Sequence, residues 1–237
     1  MKFMCMHKVD AKMEAGTPPP PDLIQKIGQL VGRSLKAGVF KDGAGLHRSA
    51  QRARVRFEGD RASVERGPYA GGNELVASFA LVSIGKAGIE RAIELATDLG
   101  RAAGGREVEV GPVVEGWDLN GSTRPADAPH RFLLLVKAND AFEAGAPAPS
   151  DVSTLLDRWR SEGIVQTEGS LRPSKNAARS RVVGGKRQWI DGPFAESKEL
   201  IAGYSILELD SLDDAKRFTE EFAAIIGDNE VDVREVV

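Results

Sequence analysis

The chain has 237 residues, a formal net charge of -3 and 41% hydrophobic residues. That length suits one large domain or two of roughly 110 residues, and the near-balanced charge argues against a dedicated nucleic-acid binder. A single cysteine excludes an internal disulfide; no apolar run reaches the ~18 residues of a membrane span and no leader peptide is read, so a cytoplasmic chain is expected.

Lys2 to Met6 is an apolar, strand-like start. An acidic, Pro-rich loop from Asp10 to Pro21 follows, then a helix whose one face carries Leu23, Ile27, Leu30 and Val31, with Asp22 as its expected cap. Gly38 ends that helix and a short strand ends near Leu46. Arg54–Glu58 and Arg61–Glu65 flank Gly59-Asp60 as a hairpin. After the loop GPYAGGNEL, Val76–Ile84 reads as a buried strand, Ile89, Ala92, Ile93 and Ala96 mark a second helix, and EVEVGPVV closes the half as an alternating strand. Residues 115–129 carry Gly, Pro, Ser and Asp without periodicity and read as a linker, with Trp117 docked on a surface.

The second half repeats this order. Arg131–Val136 is its first strand, Val152, Leu155, Leu156 and Trp159 mark its first helix behind Ser150 or Asp151, and Gly163 stands 125 residues after Gly38. Its hairpin turns on Gly184-Gly185, and GPFAESKEL precedes the strand Ile201–Leu209. Residues 67–79 and 192–204 share six of thirteen residues at a constant offset of 125, against about one match expected from average composition. The closing strands are offset by 123. The division is therefore 1–114, a linker 115–129, and 130–237, each half reading β-α-β-β-β-β-α-β, an α+β pattern with helices on one sheet face. Ile206 and Leu207 point to opposite sides of their strand, so both faces of the sheet are apolar. A second cover is needed, and the two sheets are expected to pack face to face as an intramolecular pseudo-dimer.

The stretch Trp189-Ile-Asp-Gly-Pro-Phe-Ala-Glu-Ser-Lys-Glu-Leu-Ile-Ala-Gly-Tyr204 resembles the signature of the YCII-related superfamily in its DGPF branch. Glu168–Ser174, Arg179, Arg181 and Ser211–Ala215 extend the resemblance over residues 130–237; Gly45-Leu-His47, Arg54, Arg56 and Gly67–Ala70 carry it more weakly through 1–114. The resemblance implies two ferredoxin-like units forming a dimeric α+β barrel, with no metal and no organic cofactor. It also implies either an enzyme with an Asp–His acid–base pair or a module accompanying an extracytoplasmic-function sigma factor. The first half departs from the motif, with Arg66 for Asp191 and Gly71-Gly-Asn73 for Glu196-Ser-Lys198, so no site is expected to survive on that loop.

Asp191, at a strand end before Gly-Pro, is the first candidate acid or base, provided it faces a partly apolar cavity; the alternative is an Asp capping its own loop amides. His47 is the candidate proton-transfer partner, supplied by the other unit; the alternative is a surface or structural His. Arg172, Arg179 and Arg181 are candidates to hold an anionic group, against a solvated hairpin whose charges discourage edge pairing. Phe194 and Tyr204 would line the cavity, and Lys198, next to Glu199, would close over a ligand or form a solvated ion pair. Cys5 reads as a small buried hydrophobe, and three scattered histidines give no metal spacing. The expected functions are proton transfer on a small polar or anionic molecule, without cofactor, nucleic acid or membrane, or else non-catalytic binding of a ligand or protein. Further pairing into a homodimer through outer strands is compatible with the pattern.

Overall fold

A computed structural model describes residues 1–183, 185–195, 197–227 and 229–237. Gly184 of the second hairpin turn and Glu196 of the motif lie outside the described residues. In chain order the elements are β1 (Lys2–Lys8), α1 (Ala11–Glu14), α2 (Pro21–Lys36), β2 (Phe40–Gly45), β3 (Ala53–Glu58), β4 (Arg61–Arg66), β5 (Val76–Ser83), α3 (Ile89–Ala102), β6 (Val108–Pro112) and α4 (Gly116–Asn120). They continue with β7 (Arg131–Lys137), α5 (Asp140–Glu143), α6 (Ser150–Ser161), β8 (Val165–Ser170), β9 (Ala178–Val183), β10 (Lys186–Asp191), β11 (Ile201–Glu208), α7 (Leu212–Ile226) and β12 (Val231–Val236). Short 3-10 turns at Ser49–Gln51 and Ser174–Asn176 precede β3 and β9. The fold is mixed α+β, with two six-stranded antiparallel sheets and seven helices among the described residues.

Strands form where the alternation predicts them. The helix caps differ: Pro20 and Pro149 precede α2 and α6, and no side chain caps either helix. Pro21 opens α2 because a first-turn residue needs no amide hydrogen. Gly38 and Gly163 follow the helix ends at φ 71° and 70°, where glycine avoids the left-handed penalty. The linker is partly folded. Glu115 and Asp118 form a reciprocal capping box at the start of α4, which ends on Gly121 at φ 66°.

The chain divides into two compact units that do not follow its sequence halves. The first unit takes Met1–Gly45, Leu171–Ala195 and Glu199–Val237; the second takes Leu46–Ser170 with Ser197 and Lys198. The first unit's sheet runs β10-β9-β12-β1-β11-β2, and the second's runs β4-β3-β6-β7-β5-β8. Each sheet thus joins a β-α-β segment of one half to the hairpin and closing strands of the other. The chain changes unit after β2, at Gly45/Leu46, and after β8, at Ser170/Leu171. Each strand order leaves two free edges, so the expected barrel is not found among the described residues: neither sheet closes on itself.

In the second unit α3 and α6 cover one sheet face, burying Ala92, Leu95, Ala96, Leu99, Leu156 and Trp159 against Val55, Val82, Val108 and Leu134. In the first unit Phe3, Cys5, Leu207, Val231 and Val233 pack with Ala215 of α7. Burial raises the Cys5 thiol pKa to about 12, against a smaller opposing effect of its Thr219 hydrogen bond. Cys5 is therefore a neutral core residue.

Candidate anion-binding site

The repeated Gly-Pro-aromatic loop has a steric cause. A Cβ on Gly192 would sit 1.7 Å from the Ser174 carbonyl oxygen, and one on Gly67 would sit 1.7 Å from that of Ser49. Both serines are fully buried in the 3-10 turns. The Phe194 N–H donates to Ser174 Oγ at 3.0 Å, and the Tyr69 N–H to Ser49 Oγ at 3.4 Å. Seated this way, each aromatic ring covers a guanidinium. Arg179 lies 4.2 Å from the Phe194 centroid and Arg54 lies 4.1 Å from that of Tyr69, a cation–π contact strengthened by desolvation.

Those arginines anchor a buried ionic centre in each unit. In the first unit Arg179 faces Asp232 across β9 and β12. Its Nε donates to Asp232 Oδ1 at 2.5 Å and its Nη2 to Oδ2 at 3.0 Å. Lys8 lies two residues beyond Met6, the β1 partner of Asp232. Period two puts it on the same face, and its Nζ reaches Asp232 Oδ2 at 2.9 Å. In the second unit Arg54 faces Glu109 across β3 and β6, and Lys137 lies two residues beyond Leu135, the β7 partner of Glu109. Lys137 Nζ donates to Glu109 Oε2 at 2.9 Å and to Glu74. Arg52 Nη1 reaches Glu109 Oε1 at 2.8 Å, and Arg54 Nη2 reaches Glu74 Oε1 at 2.5 Å.

Burial alone would raise the carboxyl pKa of Asp232 and Glu109. Lys8 and Arg179 outweigh it for Asp232, and Lys137, Arg52 and Arg54 for Glu109, so both are held below the usual carboxylate range. Burial would likewise lower Lys137, but Glu109 and Glu74 hold it above its ordinary value. These groups stay ionised at neutral pH.

A pocket of about 370 Å³ opens beside the second unit's centre, lined by Arg54, Arg56, Asn73, Arg106, Glu107, Lys137 and their neighbours. Arg56 is bound to Glu107 at 2.8 Å and to Glu65 at 2.9 Å. Arg106 differs from the other cations. It lies over the Phe142 ring at 5.5 Å and makes no ion pair among the described residues. Burial, with no carboxylate to offset it, lowers its pKa. At the corresponding position of the first unit stands Asn229, whose amide is tied to the β1 backbone: Nδ2 donates to Lys8 O at 2.9 Å and Oδ1 accepts from Lys8 N at 3.2 Å.

The candidates from the sequence are thus partly gathered and partly dispersed. Arg179 and Phe194 meet at the first unit's centre, and Arg181 binds Glu230 at 2.6 Å on its rim. Arg172 pairs with Glu235 at 2.7 Å, and buried Tyr204 donates its hydroxyl to Asp42 at 3.2 Å. Lys198 is exposed. Asp191 does not face an enclosed cavity among the described residues: its side chain is 81% exposed, with Lys216 at 3.4 Å. It ends an edge strand, where solvent reaches it. His47 belongs to the other unit and lies 3.4 Å from Asp118.

The first half's loop, where no site is expected to survive, forms part of this pocket's wall. Gly72 and Asn73, the small residues that break the motif, line it. A Cβ on Gly72 would stand 4.0 Å from Arg54 Nη1, so a longer side chain would extend over the ionic centre. Lys137 and Arg106, which line the pocket, are not among the sequence candidates; the sequence does show a cation at 106 where the other half has an amide.

The fold and ionic centres stand with the following likenesses. Residues 131–237 match the model of the YCII-related domain. Over 73 residues the chain is 32% identical to an uncharacterized protein of Rhizobium meliloti (strain 1021); that is 31% of this chain, which spans 59% of that relative's length. No solved structure gives a significant match. No described helix is long and apolar enough to cross a membrane.

Proposed function

We propose that the protein binds small anionic molecules in the pocket of the second unit, and that Asp191 is a surface residue with no part in chemistry. The observation that carries this is Arg106. A guanidinium does not lose its proton in a protein, and this partly buried one, without a carboxylate partner among the described residues, is suited to a charge-assisted bond with an anion. The pocket volume falls within the range of small-molecule sites. Neither metal nor organic cofactor enters this reading.

The proton-transfer alternative would need Asp191 and His47 together, and each has another partner, Lys216 and Asp118. We further read the chain as a tandem duplication of a DGPF-branch YCII-like unit joined as a pseudo-dimer. Support comes from the shared strand order of the two sheets, which contains the ferredoxin-like β-α-β-β-α-β pattern with an added hairpin.

Isothermal titration calorimetry with lactate and inorganic phosphate tests the function. The wild-type chain binds an anion, more weakly as salt rises; Arg106→Ala loses about tenfold or more in affinity, and Asp191→Asn changes nothing. Failure of both anions to bind, or loss with Asp191→Asn alone, contradicts the proposal.

A further inference from the structure

We infer that the pocket selects singly charged ligands, small monocarboxylates carrying a neutral hydrogen-bond acceptor, and that Glu107 sets this limit. The inference rests on the anion-binding reading above. Around the pocket and the centre behind it stand Arg52, Arg54, Arg56, Arg106 and Lys137, against Glu65, Glu74, Glu107 and Glu109. Among the described residues five cations meet four carboxylates, leaving one positive charge, and Arg106 is the cation outside every ion pair.

Glu107 is part of the pocket wall. It is held by Arg56 at 2.8 Å and lies 3.7 Å from Arg54 Nε. Turning it away would break both contacts. A ligand with one carboxylate can satisfy Arg106. A second carboxylate would face Glu107 in a partly buried site, where like charges are poorly screened and their juxtaposition discriminates between ligands.

The neutral lining points to the rest of the ligand. Asn139 Oδ1 accepts from Phe142 N at 2.9 Å and Asn73 Oδ1 accepts from Leu75 N at 3.3 Å. Each amide oxygen is therefore committed to the backbone, leaving the NH2 group as a donor. Two amide donors beside one cation suit a carboxylate with a nearby carbonyl, ester or hydroxyl oxygen.

Malonate and its monomethyl ester share a skeleton and differ by one charge, so calorimetric titration of both against the full chain at pH 7 isolates the effect. The expected result is binding of the ester on the order of tenfold tighter than malonate, with the gap closed or reversed in Glu107→Gln. If malonate binds as well as the ester to wild type, charge selection is wrong while anion binding stands. If neither ligand nor phosphate binds, both readings fall. An ester preference that Glu107→Gln leaves unchanged, with the variant's thermal unfolding confirming a folded chain, removes the role given to Glu107. Should that variant not fold, the wild-type comparison still decides charge selection, and Arg106→Gln must abolish ester binding.

Discussion

Gly192 and Gly67 lack side chains because a buried serine carbonyl occupies the place of the missing Cβ. Neither has positive φ, so the demand is for space and not for backbone freedom. Gly192→Ala forces the loop off the Ser174 turn and lifts Phe194 from Arg179. It should lower the free energy of unfolding by about 3 kcal/mol or more, measured by urea denaturation against wild type. A loss under about 0.5 kcal/mol would show that the loop shifts freely. The repeat in the sequence marks this loop, and Asp191, which precedes its Gly-Pro, is 81% exposed. Asp191 differs between the halves, and so does Arg106 against Asn229, the difference on which the proposed site rests. Pattern alone does not tell an exposed carboxylate from an enclosed one; that depends on which strand lies at the sheet edge.

At the scale of elements, β1 and β7 each deliver a lysine into a buried carboxylate centre. A buried ion pair is costly to desolvate, and removing one partner leaves an uncompensated charge. Asp232 binds its proton less readily when folded than when unfolded, since Lys8 and Arg179 outweigh the burial that would favour protonation. Its stabilising contribution is complete above the unfolded carboxylate range near pH 4 and is lost as pH falls through the lower folded value. Urea unfolding at a series of pH values should show stability nearly level from pH 8 to about 5 and falling below about 4. Asp232→Asn should cost about 3 kcal/mol at pH 7 and flatten that acid limb. An unchanged acid limb in the variant would place the acid sensitivity elsewhere. The strands and main helices were legible from their periods. Helix α4 was not, because a local capping box holds it and no apolar stripe announces it.

Across the whole molecule, the two halves in the sequence are real as a pattern, yet each compact unit takes strands from both. The pattern could not reveal this. β1 and β7 carry similar apolar runs ending in lysine, so either suits either sheet, and the choice is made at Gly45/Leu46 and Ser170/Leu171, where no special residue signals it. The exchange has a consequence for the site: β7, which supplies Lys137, comes from the second half, while β3, which supplies Arg54 and Arg56, and β6, which supplies Glu109 and follows Glu107, come from the first. Neither half contains the complete pocket. A crystal structure of the full chain grown with monomethyl malonate tests the central claim most directly. The account predicts the ligand's carboxylate within hydrogen-bonding distance of the Arg106 guanidinium; a ligand seated instead beside Asp191, with the Arg106 pocket empty, would contradict it.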